Sequence, residues 1–154
     1  VGSAHPAAGQ CGLFATRRYD RGETIIDYVG ELTADGDEDP TSDYTMRFVP
    51  SRRRGVAAGL AGERLGVVVD AARAGNEARF VNDYRGTGRP RNAAIGEYLQ
   101  GGDPARPRVA FVAAAPIARG DEILVSYGKG FWQQREAEAE EAEARDGPAS
   151  AVDG

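Results

Sequence analysis

The single histidine, His5, and the single cysteine, Cys11, set the first bounds on what this chain can catalyse. A Ser-His-Asp or Cys-His hydrolase needs an imidazole base held by a rigid scaffold. The one imidazole here lies among small and proline residues near the start of the sequence, where a mobile segment is expected. One thiol makes neither an intramolecular disulfide nor a cysteine-rich zinc cluster, so no metal site is expected. Gly86-Thr87-Gly88 and Gly128-Lys129-Gly130 have neither the spacing nor the strand-to-helix context of a phosphate loop. Asp121-Glu122, after Arg119-Gly120, reads as a turn entering a strand. Arg52, Arg53 and Arg54 read as a solvated loop in a neutral body, so no direct nucleic-acid contact is expected.

Four separated segments, taken in order, are more specific. Residues 10–15 read QCGLFA, and Arg17 to Leu32 carries GETIIDYVGEL. Residues 70–83 read DAARAGNEARFVND, residues 116–127 read PIARGDEILVSY, and YGKGFW ends at Trp132. In this order and spacing the chain resembles a SET domain, the fold of most protein lysine methyltransferases, from about Gln10 to Trp132. The resemblance implies a mostly β fold, a β-clip of several small curved sheets with a pseudoknot and short helices. It also implies S-adenosylmethionine as cofactor and in-line methyl transfer to a deprotonated lysine amine. Such catalysis rests on alignment, desolvation and electrostatics, and needs no histidine, thiol or metal.

The same resemblance assigns roles to residues. Tyr127 matches the tyrosine whose hydroxyl lies near the transferred methyl, and Tyr28 one that lines the lysine channel, where an aromatic wall holds an amine or ammonium. Gln10, Cys11 and Gly12 match the Gly-x-Gly cofactor loop, with Gln10 in place of its first glycine. Asn82 matches the asparagine of the Asn-His pair that contacts the methionine moiety, Arg79 and Phe80 flank it in the family's pattern, and Asp83 stands where histidine is usual. Tyr44 matches a cofactor-contacting tyrosine. The zinc-binding cysteines that roof the site in many relatives are missing from this sequence, so at least one of Phe131 and Trp132 is expected to pack against the adenine ring. Val125 occupies a position often aromatic, and its smaller side chain implies di- or trimethylation. Asp37, Glu38 and Asp39, within an acidic segment that also holds Asp35 and Asp43, border the region that holds the peptide in related histone methyltransferases. A histone tail is therefore the expected protein substrate, with nuclear localisation if it is one. Two alternatives stand beside this reading: a methyltransferase of a non-histone protein, or a catalytically silent SET or β-clip module that binds a protein partner, suggested by Asp83 and the altered Gly-x-Gly.

The elements that must position these residues are mostly strands. Residues 23–29, 44–49, 65–69, 108–113 and 122–125 are β-branched, aromatic or apolar runs bounded by glycine and polar turns. Helix is expected only over residues 72–78 and in the tail. The 154 residues suit one domain, with 24 acidic against 19 basic side chains, 18 of them Arg, and a net charge of −5. The excess lies in residues 133–154, whose Ala and Glu alternation suits a solvated helix or disordered tail. Residues 1–9 are expected to be flexible, and residues 10–132 to form the domain. The longest mostly apolar run, residues 109–118, is about half the ~20 residues of a membrane span. With no signal-like segment in the sequence, an intracellular protein that does not engage membranes is expected. Residues 51–62 are expected to form a mobile loop.

Overall fold

The structure is a computed structural model that describes residues 5–34, 36–48, 67–103 and 107–146. The expected loop at residues 51–62 and Asp35 lie outside the described residues. Among the described residues, eight strands form three small sheets. The apolar run PRVAFVA becomes β7 (Pro107–Ala113), flanked on one side by β1 (Thr24–Asp27) and on the other by β6 (Ala93–Leu99), all antiparallel. A second antiparallel sheet has β4 (Val67–Asp70) between β2 (Glu31–Ala34) and β3 (Thr45–Phe48). As expected of a central strand covered on both faces, β4 is a continuous VVV run with Val68 and Val69 both buried.

The third sheet is a two-residue parallel pair, β5 (Asn82–Asp83) with β8 (Leu124–Val125). So short a ladder is not stable alone, and other bonds fasten it. Asn92 donates from Nδ2 to the Glu122 carbonyl at 2.8 Å and accepts at Oδ1 from the Leu124 N–H at 2.9 Å. On the other side, Ala15 N–H donates to the Asp121 carbonyl and Ile123 N–H to the Leu13 carbonyl. Residues 121–125 are thus held between residues 13–15 and residues 82–92. Buried Ala71, Ala78, Val81, Ala93, Phe111, Ile123 and Val125 pack around this crossing and join all three sheets in one core.

Two elements differ from expectation. Residues 72–78 do not form one helix: residues 72–74 bend, and a 3-10 helix begins only at Glu77 and runs to Phe80. Asn76 caps it, accepting from the Ala78 N–H, and donates to the Asp27 carbonyl at 2.8 Å. Asparagine favours such caps over helix interiors, and Gly75 lies so close to β1's exit that an added Cβ would be 2.8 Å from the Val29 carbonyl oxygen. The C-terminal helix α1 (Lys129–Asp146) starts earlier than the tail boundary at residue 133, which puts Phe131 and Trp132 in its first turn. It follows Gly128, whose φ of +88° ends the preceding extended segment.

Gly30 lies where the chain passes from β1 to β2 beside β4, and a Cβ there would be 2.4 Å from the Asp70 carbonyl oxygen. Gly30→Ala is expected to destabilise by roughly 2 kcal/mol and lower the thermal midpoint by about 4–8 °C. Gly130→Ala, which meets nothing within 4 Å inside α1, should leave the midpoint unchanged or raise it. Thermal unfolding of both variants checks the pair.

Candidate active site

The crossing of residues 121–125 with residues 80–84 brings together side chains far apart in sequence. Tyr127 follows β8 and donates its hydroxyl to the Val81 carbonyl at 2.6 Å. Its backbone N–H donates at 2.7 Å to Oδ2 of Asp83, on the neighbouring strand. The same oxygen lies 3.3 Å from the Trp132 indole Nε1, and Asp83 Oδ1 accepts from the Arg85 N–H at 2.8 Å. Asp83 is 8% exposed, so this carboxylate is a buried acceptor with three N–H partners. It fixes the direction of both Tyr127 and Trp132.

Tyr127 borders three concavities. One is a cavity of about 250 Å³ walled by Tyr28, Val81, Phe111, Val125 and Met46 among others. A second, of about 680 Å³, is lined by Gln10, Cys11, Tyr44, Asn82, Trp132 and their neighbours. The third, a groove of about 1090 Å³, runs along Glu38, Asp39, Thr41 and Ser42. Asp43, Tyr127 and Phe131 line all three. Phe131 meets the Tyr127 ring edge to face at 4.8 Å and the Trp132 ring at 5.4 Å, and Arg135 of α1 pairs with Asp43. The first two turns of α1 thereby form a wall common to the openings.

Tyr28 is buried in the first cavity's wall, its ring edge to face with Phe111 and its hydroxyl donating to the Tyr44 carbonyl at 2.6 Å. Burial, followed by the nearby Tyr127 and Asp70, pushes its phenol far above the ordinary range. Tyr127 is 40% exposed, yet desolvation of its hydroxyl, with the Asp83 charge second, pushes it up to about 12. Both phenols are therefore neutral at physiological pH. Val125 is 2% exposed and leaves the first cavity apolar at that wall.

Around the 680 Å³ cleft, Asn82 Nδ2 donates to the Cys11 carbonyl at 3.2 Å and to Glu122 Oε1 at 3.0 Å. Arg79 donates to the Ala71 carbonyl at 3.1 Å and lies over the rings of Tyr44 and Phe80, while Arg85 lies over Trp132. A volume of this size is in the usual range for a ligand site, about 300–1,000 Å³. Of the residues singled out in the sequence, Gln10, Cys11, Tyr44, Arg79, Asn82, Asp83, Phe131 and Trp132 line this cleft, and Gly12 does not. Tyr28, Val125 and Tyr127 meet in the small cavity. In the acidic segment, Glu38 and Asp39 border the groove and Asp37 does not. Glu38 is held below its usual range by its own N–H and that of Gly36, and by Arg47 at 2.8 Å. Thr41, through its hydroxyl and then its N–H, does the same for Asp39.

Sequence reasoning did not assign His5, Glu122, Asp43 or Arg135 to the site. His5 lines the cleft with 12% of its side chain exposed, 3.3 Å from Glu122. Asp43 and Arg135 join α1 to the β3 loop. Nothing in their spacing relates them, because only the fold makes them neighbours. Among the described residues, no group of three or more His, Cys, Asp or Glu side chains is placed to hold a metal ion, and no helix is long and apolar enough to cross a membrane.

An arrangement of small sheets, a short parallel pair and a tyrosine set where three openings meet agrees with what comparison with known proteins finds. The SET domain family model matches residues 10–128, and the chain belongs to the SET domain family. It is similar to histone-lysine N-methyltransferase EHMT1 of Mus musculus and of Homo sapiens, 26% identical to each over 111 residues. That match covers 72% of this chain but only 8% of either relative.

For a phenol raised above its ordinary value of 10, as that of Tyr127 is, the folded state holds the proton more tightly than the unfolded state. The stability it contributes is complete below about pH 10 and is lost as pH rises through about 12. Alkaline denaturation should therefore steepen over that interval, and Tyr127→Phe should flatten it. Stability measured by chemical denaturation from pH 8 to 12 checks this.

Proposed function

We infer that the chain is an S-adenosylmethionine-dependent protein lysine methyltransferase. One observation carries the reading: Tyr127 lines both a small aromatic cavity and a larger cleft, so one side chain can face both partners of a group transfer. The cleft fits the cofactor by volume and by chemistry. It offers carbonyl and amide groups at Cys11 and Asn82 and aromatic surfaces at Tyr44, Phe131 and Trp132. Asn82 and the main chain at Gln10 and Cys11 would hold the amino-acid end. Phe131 or Trp132 would cover the adenine, the latter with its indole fixed by Asp83. Bound S-adenosylmethionine supplies a methyl group on a sulfonium, which a neutral amine accepts by in-line displacement.

The chain's own residues prepare that amine. Apolar walls of Val81, Phe111, Val125 and Met46 strip water from it and favour its uncharged form, the displaced proton leaving to solvent. The Tyr127 proton is committed to the Val81 carbonyl, so the phenol oxygen keeps lone pairs to accept an amine N–H and orient the nitrogen. Tyr28, immobilised through its hydroxyl, offers its ring to the side chain's aliphatic stem and to ammonium. For the protein substrate we favour a basic tail such as a histone's, because the open groove is bordered by Glu38 and Asp39 and continues past Asp43 to Tyr127. Nuclear localisation would follow from a histone substrate. Asp83 speaks against the silent alternative, since its three bonds build the site rather than disable it.

Tyr127→Phe keeps the ring against Phe131 and removes the hydroxyl. With labelled S-adenosylmethionine and core histones, the variant is expected to lose about a hundredfold in kcat, with affinity for S-adenosylhomocysteine within about threefold of wild type. Trp132, the chain's only tryptophan, reports that binding by fluorescence. Full transfer by the variant, or no transfer to any histone or extract protein by the wild type, refutes the reading. Because Val125 leaves room beside the amine, product mass on a lysine peptide should show di- or trimethylation, and Val125→Phe should shift it toward monomethyl product. Strict monomethylation by the wild type contradicts this.

A further inference from the structure

Glu122 is 5% exposed and its two oxygens serve different parts of the cleft wall. Oε1 accepts from Asn82 Nδ2 at 3.0 Å, and Oε2 lies 3.3 Å from His5 Nε2. His5 Nδ1 accepts the Ala7 N–H at 3.0 Å, which assigns the ring proton of the neutral imidazole to Nε2, the nitrogen that faces the carboxylate. That nitrogen is buried beside the Glu122 carboxylate, 3.3 Å from Oε2, without a hydrogen bond of good geometry.

The turn that carries His5 is itself well tied. Ala8 N–H donates to the His5 carbonyl and Gln10 N–H to the Ala7 carbonyl, both at 2.9 Å. Pro6 rests on Gly86, where an added Cβ would be 2.7 Å from the proline Cγ. The turn runs directly into Cys11, whose carbonyl accepts the other bond from Asn82. His5, Glu122, Asn82 and Cys11 therefore close a ring through space, and His5, Pro6, Ala7 and Gly9 line the cleft.

We propose that His5 and Glu122 are positioning residues for the cofactor: together they seat the turn at residues 5–10 as a wall of the cleft and hold the Asn82 amide and Cys11 carbonyl at the spacing S-adenosylmethionine requires. The proposal rests on reading that cleft as the cofactor site. It assigns a positioning role to a histidine outside the four sequence segments that carry the family resemblance.

The test is the affinity of the full chain for S-adenosylhomocysteine by calorimetry, with turnover measured at saturating S-adenosylmethionine. His5→Ala is expected to weaken binding about tenfold and to raise the KM for S-adenosylmethionine far more than it lowers kcat, without a matching fall in the unliganded thermal midpoint. His5→Gln, which restores an N–H donor toward Glu122, should recover most of the affinity. Binding by His5→Ala within twofold of wild type overturns the proposal, as does a loss that tracks the thermal midpoint and is not rescued by glutamine. If the wild-type chain itself does not bind, the cofactor reading fails, and this proposal with it.

Discussion

The Asp83 carboxylate accepts N–H groups from Arg85 beside it, from Tyr127 after β8 and from the indole of Trp132 in α1. A parallel ladder of two residue pairs cannot hold two distant stretches of chain in register unaided. A buried carboxylate using both oxygens can, because it ties N–H groups from three separate parts of the chain to one side chain. The tyrosine hydroxyl then reaches the Val81 carbonyl, the tryptophan ring faces the cleft, and α1 begins where Phe131 can close the junction of three openings. The arrangement of the site follows from that one acceptor.

This gives Asp83 a different meaning from the one its substitution for histidine suggests. An imidazole offers at most one acceptor nitrogen, so it cannot receive all three donors that converge here. The same economy recurs across the cleft. Glu122 serves Asn82 with one oxygen and faces His5 with the other, and Asn92 ties both the Glu122 carbonyl and the Leu124 amide. In a chain with one cysteine, side-chain oxygens and amides fasten the crossing of residues 82–92 and 121–125.

How much of this was legible in the sequence varied with the kind of signal. The apolar runs of β4 and β7 announce buried central strands, and the segments ending at Asp83 and Tyr127 identify the family, from which Tyr28, Tyr127, Asn82 and the cleft residues follow. The strand β6, AAIGEYL, carries too little β-branched character to be read alone; seven residue pairs with β7 supply what its composition lacks. With three of its four residues exposed, β2 shows no apolar run, and β5 is too short for any periodicity. Residues 72–78 have helical composition, but Gly75 and the Asn76 cap impose a bend first. His5 gives no local signal, because its role depends on the path of a turn toward Glu122, more than a hundred positions away.

The central claim is that the site depends on the Asp83 carboxylate, and replacing it with the residue more usual at that position puts the claim at most direct risk. Asp83→His should lower the thermal midpoint, shift Trp132 fluorescence as the indole loses its partner, and reduce methyl transfer at least tenfold. A variant that is as stable as the wild type and transfers methyl groups as fast or faster would contradict the account.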